Sequence, residues 1–129
     1  MASIFTRIIR GEIPCHKVGE DDRYLAFLDI SPLREGHTLV VPKVEVDRFF
    51  DLPGDVLAGI MPFAQEVATR IQRAIPCDRV GVAVIGLEVP HAHVHLIPID
   101  RMSDMDLTRE KLKRSPEELA AIAERIRRA

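Results

Sequence analysis

The segment from Pro90 to Pro98 reads Pro-His-Ala-His-Val-His-Leu-Ile-Pro and holds three of the chain's five histidines. One small or apolar residue separates each histidine from the next. In an extended strand, successive side chains point to opposite faces. His91, His93 and His95 would then share one face, and Ala92, Val94 and Leu96 the other. Neighbouring imidazoles would lie about 6.5–7 Å apart along the strand. Such a strand packs one face on a core and offers the other as three rings that titrate near neutral pH.

The rest of the chain supplies elements to pack against this strand. Ser3 is a fitting N-cap for a short helix, Ile4 to Arg10, with Gly11 at its end and Pro14 barring continuation. Two strands, His16 to Glu20 and Tyr24 to Asp29, flank an Asp21-Asp22 turn and read as a hairpin. His37 to Val41 is a third strand, stopped by Pro42. From Asp51-Leu52-Pro53 to Pro76 a long helix is expected, since Val56, Ile60, Phe63, Val67 and Ile71 step by three and four. Pro62 falls inside it and is expected to kink or split it. Arg79 to Ile85 is a further strand. Ser115-Pro116-Glu117-Glu118 opens a last helix that runs to about Arg128 and ends in arginines that suit its dipole.

No βαβ unit repeats along this order. The fold class expected is α+β: an antiparallel sheet of about five strands, with a short N-terminal, a long central and a C-terminal helix on one side of it. At 129 residues the chain is read as a single domain, 1–129, with its core at about 3–98 and an extension at 99–129. A net charge of −2 gives no general electrostatic reason to bind nucleic acid or anionic lipid. No apolar run is long enough to span a bilayer, and the N-terminus lacks a signal peptide's apolar core, so a cytoplasmic protein is expected. Cys15 and Cys77 are read as two reduced thiols.

Three readings of the histidine row compete. It can be a structural strand with surface imidazoles, although three rings on one face repel each other when charged. It can be a metal site that recruits Glu88, His37 or Asp100 as a further ligand or base. Or the middle ring can be a nucleophile toward phosphorus, with a neighbour fixing its tautomer and another donating to phosphate oxygens.

His91-Ala92-His93-Val94-His95-Leu96-Ile97 resembles the signature of the histidine-triad (HIT) family, in which three histidines alternate with apolar residues. The likeness extends to Ser3 through Pro14, to Glu20-Asp21-Asp22 with Leu25 through Pro32, and to Gly36 through Lys43. It implies the HIT-like fold and a nucleotide hydrolase or transferase acting at the α-phosphorus through a covalent nucleotidyl-histidine. By position, it makes His93 the nucleophile. The His91 carbonyl holds the far nitrogen of His93, and His95 donates to the phosphate or leaving group. His37 is placed beside the triad. Asp29 matches a carboxylate that takes both ribose hydroxyls, and Ile4, Phe5, Phe27 and Ile30 match the walls of a base pocket. Glu88 matches a position near the phosphate, where a carboxylate repels unless it is protonated or turned away. Plainer uses exist as well: Asp29 capping the turn before Pro32, Phe5 and Phe27 as core, and His37 opening its strand.

Departures from the family pattern refine these expectations. One branch binds structural zinc through two cysteines in the opening helix and a later histidine; here those positions are Ser3, Thr6 and Glu45. Hydroxyls are poor zinc ligands beside thiolates, so no structural zinc is expected, and the proposed chemistry needs no metal and no cofactor. Leu87 stands where the family often has Gln, and the loop before the triad is short, which leaves the leaving group open. The resemblance implies a small-molecule substrate, a purine nucleoside monophosphate derivative such as a phosphoramidate, a dinucleoside polyphosphate or an adenylylated metabolite. It also implies a homodimer. A non-catalytic nucleotide-binding module and a histidine-ligated metallohydrolase stay open as alternatives.

Overall fold

A computed structural model describes residues 1–129. Helix α1 (Ile4–Ile9) is capped by Ser3, whose hydroxyl accepts the Thr6 N–H at 3.0 Å. Strands β1 (Lys17–Glu20) and β2 (Tyr24–Leu28) form a hairpin. Asp21 closes its turn by accepting the Arg23 and Tyr24 N–H groups at 2.8 and 2.9 Å. Strand β3 (Thr38–Pro42) is followed by helix α2 (Gly54–Ala74), strands β4 (Arg79–Ala83) and β5 (Val94–Ile99), and helix α3 (Pro116–Arg128). Short 3-10 turns occupy Phe49–Asp51 and Met102–Met105. The five strands form one antiparallel sheet in the order β1-β2-β3-β5-β4. No helix is long and apolar enough to cross a membrane.

The expected α+β architecture holds, but the helices lie on both faces of the sheet rather than one. Tyr24, Ala26, Leu28, Val40, Val94 and Leu96 pack against α2 and α3. The alternate residues Leu25, Phe27, Leu39 and Val41 pack with Phe5 of α1, and with Ile8 and Ile9, on the opposite face. This is why β2 and β3 are buried at every position and show no polar alternation. The α2 face carries Ile60, Ala64, Val67 and Ile71, spaced by four, three and four.

Pro62 does not split α2, which runs unbroken from Gly54 to Ala74. Pro62 and Ala58, whose carbonyl loses its partner, are both solvent-exposed. Water can satisfy that carbonyl, so the helix tolerates the missing donor.

The closing helix follows its expected signals. Ser115 and Glu118 exchange two hydrogen bonds in a capping box. Its arginines do more than suit the dipole. Arg125 donates to the Ala74 carbonyl at the end of α2 at 2.7 Å, and Arg127 to the Lys17 carbonyl of β1. Both cysteines are free thiols.

Gly59 of α2 faces Tyr24 so closely that an added Cβ would lie 2.3 Å from the phenol oxygen and 3.2 Å from Cζ. That phenol is buried and donates to the Val56 carbonyl at 2.7 Å, so it cannot swing away freely. Replacing a helical glycine by alanine normally stabilises by about 1 kcal/mol. Here Gly59→Ala is expected to destabilise by about 1–3 kcal/mol through overpacking. Urea unfolding measures it, and a gain in stability would refute the packing argument.

Candidate active site

Strand β5 begins at Val94, so only His95 of the triad is a strand residue. His91, Ala92 and His93 precede it as irregular chain, which corrects the expectation of three rings on one strand face. Spacing differs accordingly, with the His93 and His95 ring centroids 5.0 Å apart. The Ala92 N–H leaves the sheet to donate to the Val46 carbonyl at 2.7 Å, which breaks the alternation. His95 stands opposite Leu39 of β3 and Ala83 of β4, on the face that carries Phe5 and away from α2.

Main-chain groups fix the proton positions on these rings. His93 Nδ1 lies 2.7 Å from the His91 carbonyl. A carbonyl only accepts, so Nδ1 carries the proton and the neutral ring keeps its lone pair on Nε2. His37, which is 1% exposed, accepts the Leu33 N–H on Nδ1 at 3.1 Å. An amide only donates, so the His37 proton sits on Nε2. That proton points to His95 Nδ1 at 2.9 Å, and the His95 proton is therefore on Nε2. Gly36, with φ +94° and its α-carbon facing Ile75 and Pro98 at closer than 3.4 Å for any added Cβ, makes the turn that aims His37 inward.

Burial keeps the His37–His95 pair neutral. Desolvation is the largest cause in both, pushing His37 down to about 3 and His95 down to about 4. Each ring's charge would also raise the cost of protonating its neighbour: His95 acts on His37, and His93 on His95. His91 is fully buried and also lowered by desolvation.

Asp29 sits where β2 ends. Its Oδ1 accepts the Ser31 N–H at 2.9 Å, so it does cap the turn before Pro32. Its Oδ2 lies 3.8 Å from His37 Nε2. Desolvation raises the Asp29 carboxyl, opposed by the Ser31 bond and by the charge of Lys111. Lys111, on the segment before α3, also helps lower His37 and His95. Nothing in the pattern of the sequence marked this residue. The Leu112 N–H donates to the Pro32 carbonyl at 2.8 Å and Arg109 to the Leu33 carbonyl at 2.7 Å, so the extension lies along the loop behind the site.

The remaining expected residues divide into two groups. Phe5 and Phe27 are buried and meet edge to face at 5.6 Å, and Phe5 also meets His93 at 5.1 Å. Ile4 and Ile30 are 49% and 70% exposed, as a wall open to a ligand would be. Glu88 is exposed and lines a cleft of about 680 Å³ together with His93, Ala92, Leu87, Phe50 and Arg48. None of Asp29, Ile4, Phe5 or Ile30 lines that cleft. His93 therefore has the cleft on one side and the Phe5 face on the other.

Asp29, His37 and His95 have ligand atoms within 4.8 Å of one another. The donor set does not fit a metal. A metal on His37 Nε2 would force the proton onto Nδ1, where it would meet the Leu33 N–H.

Residues 10–102 match the HIT domain family. An uncharacterized HIT-like protein of Methanocaldococcus jannaschii is 41% identical over 100 residues, which is 74% of this chain and 77% of that protein. An adenosine 5'-monophosphoramidase of Saccharomyces cerevisiae is 39% identical over 102 residues, covering 75% of this chain and 62% of that enzyme. Among solved structures, a Hit-like protein of Bartonella henselae involved in cell-cycle regulation superposes with a TM-score of 0.86 at 31% identity, over 98% of this chain and 94% of that one. By sequence and by fold, the chain belongs to the HIT family.

Proposed function

We propose that the protein hydrolyses purine nucleoside monophosphate derivatives at the α-phosphorus, with a phosphoramidate as the substrate class, through a nucleotidyl-His93 intermediate. The observation that carries this reading is the His93 Nδ1–H held by the His91 carbonyl at 2.7 Å. It leaves the Nε2 lone pair as the ring's free nucleophile. The adenosine 5'-monophosphoramidase activity of the yeast relative agrees with it.

In the first step Nε2 of His93 attacks phosphorus. A P–N bond to the ring forms as the P–N bond to the amine breaks; the leaving nitrogen takes up one proton from solvent and departs as the neutral amine, and the ring becomes a nucleotidyl-imidazolium. His95 presents Nε2–H while neutral. Giving that proton away entirely would leave an imidazolate, so its part is to hydrogen-bond a non-bridging phosphate oxygen as charge builds there. Water then forms a P–O bond and releases a proton to solvent, which offsets the one taken up by the amine; the P–Nε2 bond breaks, and His93 is regenerated as the neutral Nδ1–H ring. No metal or cofactor enters either step. His37 is a positioning residue that sets the tautomer of His95. Asp29 still has Oδ2 for the ribose diol, beside a base wall of Ile4, Phe5, Phe27 and Ile30. The leaving group would extend into the cleft beyond His93, past Glu88.

A homodimer is part of the proposal. Strand β4 is a sheet edge, and Val82, Val84, Ile85 and Leu87 on and after it are 48%, 39%, 52% and 90% exposed. An unpaired apolar edge of this kind favours pairing with a second copy. Light scattering should give twice the 14.5 kDa chain mass.

Three measurements test the chemistry. With adenosine 5'-phosphoramidate, His93→Ala is expected to lose at least about a thousandfold in kcat, and a rapidly quenched wild-type reaction should show protein carrying one nucleotidyl group. Nucleoside monophosphate that binds without any turnover or adduct would favour a binding module instead. Asp29→Ala is expected to raise KM about tenfold to a hundredfold for the ribonucleoside and to have much less effect on the 2'-deoxy analogue. The third measurement concerns pH. His37 and His95 stay neutral when folded, so below about pH 6.5 the unfolded chain binds protons that the fold excludes. Stability is therefore expected to fall as pH drops from 6.5 toward 4. His37→Gln should make that acid limb shallower in thermal or urea unfolding.

A further inference from the structure

Three side chains with no part in the steps above converge on His91. Ser3 Oγ lies 2.7 Å from His91 Nδ1, and the other ring nitrogen, Nε2, lies 2.8 Å from the Pro42 carbonyl. Thr6 Oγ1 lies 3.4 Å from Nδ1 and donates to Glu45 Oε1 at 2.6 Å. The same Glu45 oxygen accepts the Ser3 main-chain N–H at 2.8 Å. The backbone bonds N–H of Thr6 to Ser3 Oγ at 3.0 Å and Ala92 to the Val46 carbonyl at 2.7 Å complete the cluster.

Counting protons leaves one arrangement for the neutral ring. Pro42 can only accept, so His91 holds its proton on Nε2 and needs a donor at Nδ1. The Thr6 hydroxyl proton goes to the carboxylate, so the Ser3 hydroxyl must supply that donor. The Ser3–Thr6 oxygen contact, at 3.3 Å, is the longer alternative for the same proton. The Pro42 carbonyl thus sets the tautomer of His91, Ser3 holds the ring at its other nitrogen, and Glu45 holds Thr6 and the Ser3 main chain.

The peptide that follows His91 matters most. Its carbonyl accepts the His93 Nδ1–H, and its N–H, on Ala92, donates to Val46, the residue after Glu45. The segment Glu45–Val46 therefore holds this peptide directly through the Val46 carbonyl and, through Glu45, holds the Ser3 that bonds the His91 ring. Helix α1, held at its cap by Glu45, carries Phe5, whose ring meets His91 at 5.8 Å and His93 at 5.1 Å.

We propose that Ser3, Thr6 and Glu45 are positioning residues that hold the His91 ring against the Pro42 carbonyl and fix the His91 carbonyl, so that His93 keeps its reactive nitrogen free. The proposal rests on the reading of His93 as nucleophile. What it requires of Glu45 is an acceptor oxygen rather than a charge, because that side chain is exposed.

The test joins two readouts on the full-length protein. Imidazole ¹H–¹⁵N spectra at pH 7 report which nitrogen of each ring is protonated, without any substrate. Steady-state kinetics with adenosine 5'-phosphoramidate report kcat and KM separately. Wild type is expected to show His91 protonated at Nε2 and His93 at Nδ1. In Ser3→Ala and Glu45→Ala the Pro42 carbonyl still selects the Nε2–H form, but the His91 and His93 signals should shift as the ring and its carbonyl move. kcat should fall about tenfold while KM stays within about threefold. Ser3→Thr and Glu45→Gln retain the donor and the acceptor and should recover most of the rate. Glu45 is exposed, so Glu45→Ala remains folded for the comparison if Ser3→Ala does not. The proposal is overturned by His91 protonated at Nδ1 in wild type, by wild-type His91 and His93 signals and kcat in both alanine variants, or by Glu45→Gln behaving as Glu45→Ala. If wild type does not turn over, the spectra still decide the positioning claim, and the reading of His93 fails on its own.

Discussion

Main-chain groups with a single hydrogen-bonding role set the state of three rings at this site, and through His37 that of the fourth, His95. The Leu33 amide can only donate, and the Pro42 and His91 carbonyls can only accept. Each meets one nitrogen of a different imidazole. His37, His91 and His95 are also desolvated, so these three do not escape their assignments by taking a second proton at neutral pH. The reactive arrangement is thus a property of the backbone path, and the backbone path is a property of the sheet. Thr38 opposite Leu96 and Leu39 opposite His95 fix where β5 begins, and so where His93 leaves it.

The two sides of the sheet divide the work. One side, under α2 and α3, is almost wholly apolar and supplies the bulk of the burial that holds the strands. The other side has a smaller apolar patch under α1, beside which the histidines sit. A short helix of six residues would be marginal alone. It is held by Phe5 packing below and by the Glu45 contacts at its cap. Packing and polar contacts at α1 therefore act on the same element that borders His93.

Much of this was legible in the residues, and the failures have physical causes. The strands were readable as short apolar runs bounded by turn residues and proline, and α2 because its three-to-four spacing leaves a strong mark. The alternation of His91, Ala92 and His93 carried a strand's period of two although no strand forms there, since the Ala92 amide bonds Val46 in place of a sheet neighbour. Periodicity sees side-chain spacing and is blind to which backbone partner wins. The opposite placement of α1 was hidden because β2 is apolar at every position and names no face. The link between Ser3 and His91 spans 88 residues, and the Leu33 amide has no side chain to announce it. Lys111 lies on a segment without a recognisable pattern, and only the docking of that segment behind the Asp29–Gly36 loop brings it near the site.

The registry of β5 has a consequence for folding fidelity. Alternate residues of this strand serve opposite masters: Val94 and Leu96 enter the core against Ile60 and Ile71, while His95 turns toward His37. A chain paired one residue out of step would drive an imidazole into that core and leave an aliphatic side chain facing His37. The His37 Nε2–H would then lose its 2.9 Å acceptor on His95, with only Asp29 Oδ2, at 3.8 Å, nearby. Such a misfolded form loses stability and chemistry by the same slip. Quality control that senses only stability would therefore also screen for activity, and a stable but inactive population has no register in which to persist.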